Sequence, residues 1–187
     1  MENSEVEQIA MSQLESGERL LWSGSPSPGA MAMSGLPVSL FGVPFLAFAC
    51  FWIWGAWTGV TRGGHAPGPF LFFPLFGVPF VLVGLGLVAA PLFAYLGARQ
   101  TVYAVTDKRA FILVGLGVKN VRSFYHADVG ELTRFEKADG SGTLWFAKRL
   151  FTTSSGVNTA RIGFVGIPNV RQVEQLIRDN LVEAKAA

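Results

Sequence analysis

Charge is almost absent from one long stretch of this sequence. Between Gly35 and Arg99 the only formally charged residue is Arg62, and the other positions are apolar, small or proline. Charged residues make up 15% of the whole chain, against roughly 25% in soluble domains. This composition predicts two transmembrane helices, about 37–60 and 70–97, joined by a short loop. The alternative, a pair of buried helices in a soluble protein, accounts less well for two successive uncharged runs.

Cysteine and histidine are also scarce, with one and two residues in the chain. Cys50 lies inside the first predicted span, which excludes an intramolecular disulfide and a cysteine-based metal site. His65 and His126 are predicted on opposite sides of the membrane and cannot share a metal. We therefore expect no metal and no cofactor.

Catalytic motifs are missing as well. Ser123, His126 and Asp128 are close in sequence, but Ser123 and His126 would point to opposite faces of a strand. The glycine pairs at 84/86 and 115/117 lack the third glycine of a dinucleotide-binding loop, and no P-loop lysine motif occurs. The sequence thus predicts a protein that is not an enzyme.

The apolar stretch 36–97 forms the predicted transmembrane hairpin. Its first span covers about 36 Å, enough to cross a hydrocarbon core of about 30 Å. Its second span contains Pro74, Pro79 and Pro91, which predict a kinked or late-starting helix. The hexapeptide LFGVPF occurs twice, at 40–45 and 75–80. We interpret this repeat as a coincidence of restricted composition; inverted symmetry is the alternative.

Basic residues near the spans set the predicted orientation. The loop offers Arg62 and His65, whereas Arg99, Lys108 and Arg109 follow the second span. The positive-inside rule therefore places the C-terminal domain in the cytoplasm, and a hairpin returns the N terminus to the same side. Both termini are thus expected to be cytoplasmic in a multi-pass membrane protein.

Residues 1–35 are predicted to form an acidic juxtamembrane segment, with one arginine against five glutamates. Ser4 and Glu7 fit a capping box, and apolar residues from Val6 to Leu14 recur at helical spacing. A short amphipathic helix that ends at Gly17 is expected. It could dock on the membrane surface or on the later domain.

Residues 98–187 carry 13 basic and 8 acidic residues and are predicted to be a β domain. Short β-rich runs alternate with turn formers, which predicts six or seven antiparallel strands in a small barrel or sandwich. The predicted strands are 101–106, 109–115, 121–127, 131–137, 143–147 and 161–167, with 149–153 as a further candidate and 152–159 as a loop. Phe111 to Val114 is apolar on both faces, so one face must contact the hairpin, the N-terminal helix or another protein.

A helix is predicted to close the chain, over about 169–185. Asn169 is a suitable N-cap, and the apolar stripe that includes Val170, Val173 and Ile177 suits packing over an open barrel end. Dimerisation through this stripe is the alternative.

Two segments carry a resemblance to a known family. Residues 103–110 (YAVTDKRA) resemble the strand–turn–strand motif of bacterial pleckstrin-homology-like (bPH) membrane proteins, and residues 17–26 (GERLLWSGSP) resemble the segment that precedes the hairpin in that family. Residues 139–143 and 167–170 match the positions of the family's hairpin turn and helix entry. The resemblance implies a PH-like barrel of seven strands with a capping helix at the cytoplasmic side of a bacterial inner membrane. It implies no settled activity.

The predicted fold is thus an α+β membrane protein, with a two-helix transmembrane hairpin followed by a small PH-like antiparallel β-barrel or sandwich. Its predicted function is a membrane-anchored adaptor or assembly factor that binds a membrane protein complex. There are two alternatives. The PH-like domain could recognise anionic lipid headgroups, or the protein could be an accessory subunit of a transporter. Nucleic acid is not an expected partner, because the basic residues form no stripe; homo-oligomerisation is left open. The candidate binding residues, at predicted turns or strand ends, are Lys108, Arg109, Lys119, Arg122, Lys148 and Arg149.

Overall fold

The computed structural model describes residues 3–62, 68–115, 120–153 and 156–182. The chain divides into two compact units, a β module of Met1–Ala30 and Leu96–Ala187 and a helical unit of Met31–Tyr95. The predicted α+β class is therefore found. Residues 3–30 of the N-terminal segment belong to the same compact unit as the C-terminal β domain.

The helical unit contains one long apolar helix and one broken segment. After α2 (Pro28–Ser34), helix α3 (Leu36–Arg62) has 27 residues and is long and apolar enough to cross a membrane. A 3-10 helix (Gly68–Gly77), α4 (Val78–Val88) and α5 (Ala90–Arg99) follow. Phe72–Val88 and Ala90–Arg99 are bent by 52°.

Proline explains the broken segment. Pro74 lies within the 3-10 helix. Pro91 lacks a backbone N–H and disfavours the helical conformation of the residue before it, which suits the break between α4 and α5. The predicted kink is therefore found, whereas an uninterrupted second helix over 70–97 is not.

Glycines bring α3 and α4 into close antiparallel contact. A Cβ on Gly42 would lie 2.7 Å from Leu87 Cβ, and a Cβ on Gly84 would lie 3.0 Å from Leu46 Cα. Gly77 is equally crowded, by a side chain of α3. Gly42 and Gly77 are the glycines of the two LFGVPF copies, so each copy contributes to this contact.

The first sheet of the β module joins strands from both sides of the helical unit. Its antiparallel order is β1-β2-β3-β4. The strands are β1 (Leu20–Gly24), β2 (Thr101–Thr106), β3 (Arg109–Val114) and β4 (Asn120–Tyr125). The predicted β2–β3 hairpin is found, and its register pairs Val105 with Ala110. Strand β1 was not predicted as a strand; Trp22 pairs with Val105 and Gly24 with Tyr103.

The second sheet has the order β5-β6-β7. Its strands are β5 (Thr133–Glu136), β6 (Gly142–Thr153) and β7 (Gly156–Ile167). The two short strands predicted over 143–153 are one strand, and most of the predicted loop 152–159 belongs to β6 and β7. Threonine suits a pleated strand, so the polarity of this stretch reflects solvent-facing strand surface rather than a loop.

The core of the module lies on both faces of the first sheet. Tyr103, Val105 and Phe124 face the second sheet and pack with Phe146 and Phe164. The opposite face is covered by α1 (Asn3–Met11), which ends earlier than the predicted Gly17. On that face a second cluster consists of Val6, Ala10, Val102, Ala104, Phe111 and Leu113. Of the three predicted partners for the doubly apolar strand β3, the structure shows the N-terminal helix.

The two sheets are not closed into a barrel, because the described strands form two separate hydrogen-bonded sheets. Helix α6 (Val170–Ile177) continues as a π-helical turn (Arg178–Val182), and its apolar stripe is buried against the core rather than free for dimerisation. The end of the predicted helix, 183–185, lies outside the described residues. Asn169 is at the predicted N-cap position, but it adopts φ 47° and its side chain makes no capping hydrogen bond.

Candidate functional site

Of the six basic residues predicted to bind a partner, the structure describes Lys108, Arg109, Arg122, Lys148 and Arg149. Lys119 lies outside the described residues. Arg109 is only 6% exposed and therefore cannot belong to an open surface. The four exposed residues are Lys108, Arg122, Lys148 and Arg149.

Arg109 and Glu18 form a buried ion pair within the β module. Arg109 Nε donates to Glu18 Oε1 at 2.9 Å, and Arg109 Nη2 donates to Glu18 Oε2 at 2.9 Å. Thr106 Oγ1 donates to Glu18 Oε1 at 2.7 Å. We call Glu18, Thr106 and Arg109 the latch, because these side chains connect the segment before the helical unit to strands that follow it.

Each nitrogen of the Arg109 guanidinium has a partner. Its five N–H groups are a rigid fork, and besides Glu18 they reach Gln13 O, Ser123 Oγ and Glu15 Oε1, each at 2.9 Å. Glu18 also accepts from the backbone N–H of Glu15 at 2.7 Å. A buried ion pair with this many satisfied groups fixes one geometry, and removing either partner leaves a buried charge unpaired.

The electrostatics agree with an ionised pair. Burial by itself would raise the pKa of Glu18, but hydrogen bonds from Arg109, the Glu15 N–H and Thr106 outweigh it and hold that pKa below its ordinary value. The hydrogen bond to Glu18 raises the pKa of Arg109, against the opposing effect of burial. Both groups are therefore charged at neutral pH.

The latch is where the two motifs that resemble the bPH family meet. Arg19 N donates to Asp107 Oδ1 at 2.9 Å, and Asp107 N donates to Arg19 O at 3.2 Å. Lys108 Nζ lies 3.4 Å from Ser16 O. Gly17 adopts φ 73°, a conformation that glycine reaches without strain. The GE of residues 17–26 and the TD-x-R of residues 103–110 thus fit together as one structural element.

Arg122 lies away from the turn that carries Lys108. It pairs with Ile112 on β3, whereas Arg109, beside that turn, pairs with Tyr125. Three residues along a strand correspond to about 10 Å. Lys148 and Arg149 lie on the other sheet, so the exposed basic residues do not form one contiguous rim within a sheet.

Lys148 and Arg149 belong to a two-stranded extension of the second sheet. The pairing of β5 with β6 ends at Trp145, but β6 and β7 stay paired as far as Thr153 and Gly156. We call this extension, 148–153 with 156–161, the ribbon. Among the described residues its strands pair only with each other.

Sequence reasoning missed three residues of the ribbon. Arg161 is exposed and pairs with Lys148, while Leu150 and Val157 are 70% and 68% exposed. One signal was available in the sequence, since no acidic residue occurs between Asp139 and Glu174.

The Ser123, His126 and Asp128 side chains have separate partners. Ser123 Oγ accepts from Arg109, His126 Nδ1 lies 3.2 Å from Leu181 O, and Asp128 Oδ2 accepts from the backbone of Tyr125. Within the described residues no group of three or more His, Cys, Asp or Glu residues could hold a metal ion.

The helical unit has an open apolar cavity of about 250 Å³. Its lining is Phe45, Phe48, Ala49, Trp52, Phe76, Gly77 and Phe80. Elsewhere on α3, no atom of the described residues lies within 4 Å of a Cβ added to Gly55 or Gly59. Residues four apart share one helix face, so these two glycines lie on the same face of α3.

No protein-family model matches the chain, and neither a curated protein nor a solved structure matches it significantly. The resemblance to bPH membrane proteins therefore stays a prediction from the motifs.

Proposed function

We propose that this protein is a membrane-anchored, non-enzymatic adaptor or assembly factor that binds a membrane protein complex. In this proposal, residues 31–95 form a two-span anchor, and the β module is a PH-like domain at the cytoplasmic face of a bacterial inner membrane. The observation that carries the proposal is the pairing of β1 with β2, together with the latch.

Strand pairing constrains how the chain can cross a membrane. Strand β1 precedes the helical unit and β2 follows it, yet they pair from Leu20–Thr106 to Gly24–Tyr103. Both ends of the helical unit must therefore lie on one side of any membrane. If α3 crosses the bilayer, the chain must cross it a second time before β2.

The broken segment supplies that second crossing in the proposal. A 3-10 helix rises about 2.0 Å per residue and an α-helix about 1.5 Å, so Phe72–Val88 covers about 28 Å, close to a hydrocarbon core of about 30 Å. The bend before α5 would then lie near the membrane surface, where exposed backbone groups can be hydrated.

The exposed face of α3 supports a protein partner within the bilayer. Gly42, Gly77 and Gly84 are used by contacts of α3 with the broken segment, whereas no described residue crowds Gly55 or Gly59. A small-xxx-small pair allows another transmembrane helix to approach closely. A partner helix at this face would suit an adaptor that is held in the membrane.

The test is purification of the tagged full-length protein from its native membranes in mild detergent. We expect a protein partner at stoichiometric level, which is lost when Gly55 and Gly59 are both replaced by leucine. Cys50→Leu is the matched control, because Cys50 is exposed and lies about 140–180° around the helix from the two glycines. Recovery of lipid alone contradicts the adaptor proposal, and a partner retained by the double variant contradicts the assigned helix face.

A further inference from the structure

The ribbon exposes apolar side chains that suit contact with a further surface. An isolated two-stranded antiparallel ribbon is at best marginally stable in water, and this one leaves Leu150 and Val157 largely exposed. Leu150 and Val157 therefore give the ribbon an exposed apolar surface.

One face of the ribbon combines apolar and basic side chains. Alternate strand residues share a face, as do residues directly opposite in an antiparallel pair. Lys148 and Leu150 therefore lie on one face with Arg161 and Thr159, their partners in the register. Val157 follows on the same face, two residues before Thr159.

The charge of the ribbon identifies the class of its partner. Lys148, Arg149 and Arg161 are its charged residues, and it has no acidic residue. Lys148 Nζ lies 3.5 Å from Glu131 Oε2, but the Glu131 side chain is 77% exposed, and such surface pairs contribute little. Basic residues flanking exposed apolar side chains suit the interface of an anionic bilayer.

We propose that the ribbon docks on the anionic membrane surface beside the protein's own anchor, with Leu150 and Val157 at the headgroup–acyl boundary and Lys148 and Arg161 against lipid phosphates. This inference rests on the proposed membrane anchor. A module tethered to the bilayer meets lipid at high effective concentration, so even weak individual contacts suffice for docking.

The test uses the full-length protein in lipid nanodiscs, with an environment-sensitive dye on a single cysteine. In a Cys50→Ser background, Val157→Cys carries the dye on the ribbon and Ala138→Cys carries it in the exposed turn before β6. The two positions are about 30 Å apart along the strand. In nanodiscs that contain phosphatidylglycerol, the dye at Val157→Cys shifts to shorter wavelength, and the dye at Ala138→Cys does not.

Charge variants separate electrostatic docking from apolar adhesion. Each basic residue near an anionic leaflet contributes about a fivefold factor, so replacing Lys148 and Arg161 by glutamine lowers the docked-to-undocked ratio on the order of 25-fold. The matched control neutralises Arg171 and Arg178, which lie outside the ribbon, and leaves the shift intact.

Four results overturn the inference. These are no shift at Val157→Cys in anionic nanodiscs, an equal shift in purely phosphatidylcholine nanodiscs, an equal shift at Ala138→Cys, and a shift in detergent that grows with protein concentration. The last result assigns the ribbon to a second copy of the chain. Failure of the anchor itself is distinguishable, because the protein would then not co-elute with nanodiscs.

Discussion

Glu18→Leu removes the carboxylate of the latch and is predicted to destabilise the β module. Breaking a buried ion pair costs about 3–5 kcal/mol, because the remaining charge stays buried without its partner. Glu15 Oε1 still lies 2.9 Å from Arg109 Nη1 in the wild-type geometry, on a side chain that is 56% exposed. That carboxylate can move toward Arg109, so we expect the lower end of the range, about 3 kcal/mol.

The assay is thermal unfolding of the full-length protein in mild detergent, followed by circular dichroism. At roughly 3–4 °C per kcal/mol for a domain of this size, Tm falls by about 10 °C. Glu131→Leu is the control, since its exposed pair with Lys148 is worth less than about 1 kcal/mol. Combining Glu18→Leu with Arg109→Leu removes both charges, so the double variant loses less stability than the two single variants added together.

Two results would refute this reasoning. The first is a Glu18→Leu variant that loses no more stability than Glu131→Leu. The second is strict additivity in the double variant, which would mean that Glu18 and Arg109 do not interact in the folded protein.

Three further predictions concern other parts of the molecule. Gly84→Leu lowers the thermal stability of the helical unit, because an added Cβ already lies 3.0 Å from Leu46 Cα. Gly86→Leu is tolerated, because no described atom lies within 4 Å of an added Cβ there. An equal loss of stability in both variants would contradict the α3–α4 contact. Asn169→Val lowers the free energy of unfolding by about 1–2 kcal/mol because a β-branched residue is strained at positive φ, and Asn169→Gly does not lower it. A loss of stability in both variants would mean that the Asn169 side chain caps the helix. The lowered pKa of Glu18 means that its contribution to stability is present above its ordinary value of 4.5 and is lost as pH falls below it; acid unfolding of wild type against Glu18→Gln measures this, and identical pH profiles would contradict it.

Features that depend on local pattern could be predicted from the sequence. The β2–β3 hairpin follows from two β-rich runs separated by a compact turn, and the apolar stripe of α6 follows from helical periodicity. The kink in the second apolar segment follows from Pro74 and Pro91, because proline cannot continue the backbone hydrogen-bond ladder. Each of these depends on neighbours within a few residues.

Features that depend on distant partners could not be predicted. Strand β1 has five residues and is a strand because β2, about eighty positions later, pairs with it. Arg109 follows a turn, where exposure is usual. It is buried because it pairs with Glu18, which lies 91 positions away in sequence. For the ribbon the sequence predicts part strand and part loop, because polar residues on an exposed pleat have the composition of a loop.

We infer that both ends of the helical unit lie on one side of the membrane, with the end of α3 on the other. Labelling of single cysteines in the Cys50→Ser background with a membrane-impermeant maleimide measures this directly. We expect Ser12→Cys and Ala138→Cys to be labelled only in inverted vesicles, and Arg62→Cys to be labelled only from the periplasmic side of intact cells. Labelling of Ser12→Cys and Ala138→Cys from opposite sides, or of all three from one side, would contradict it.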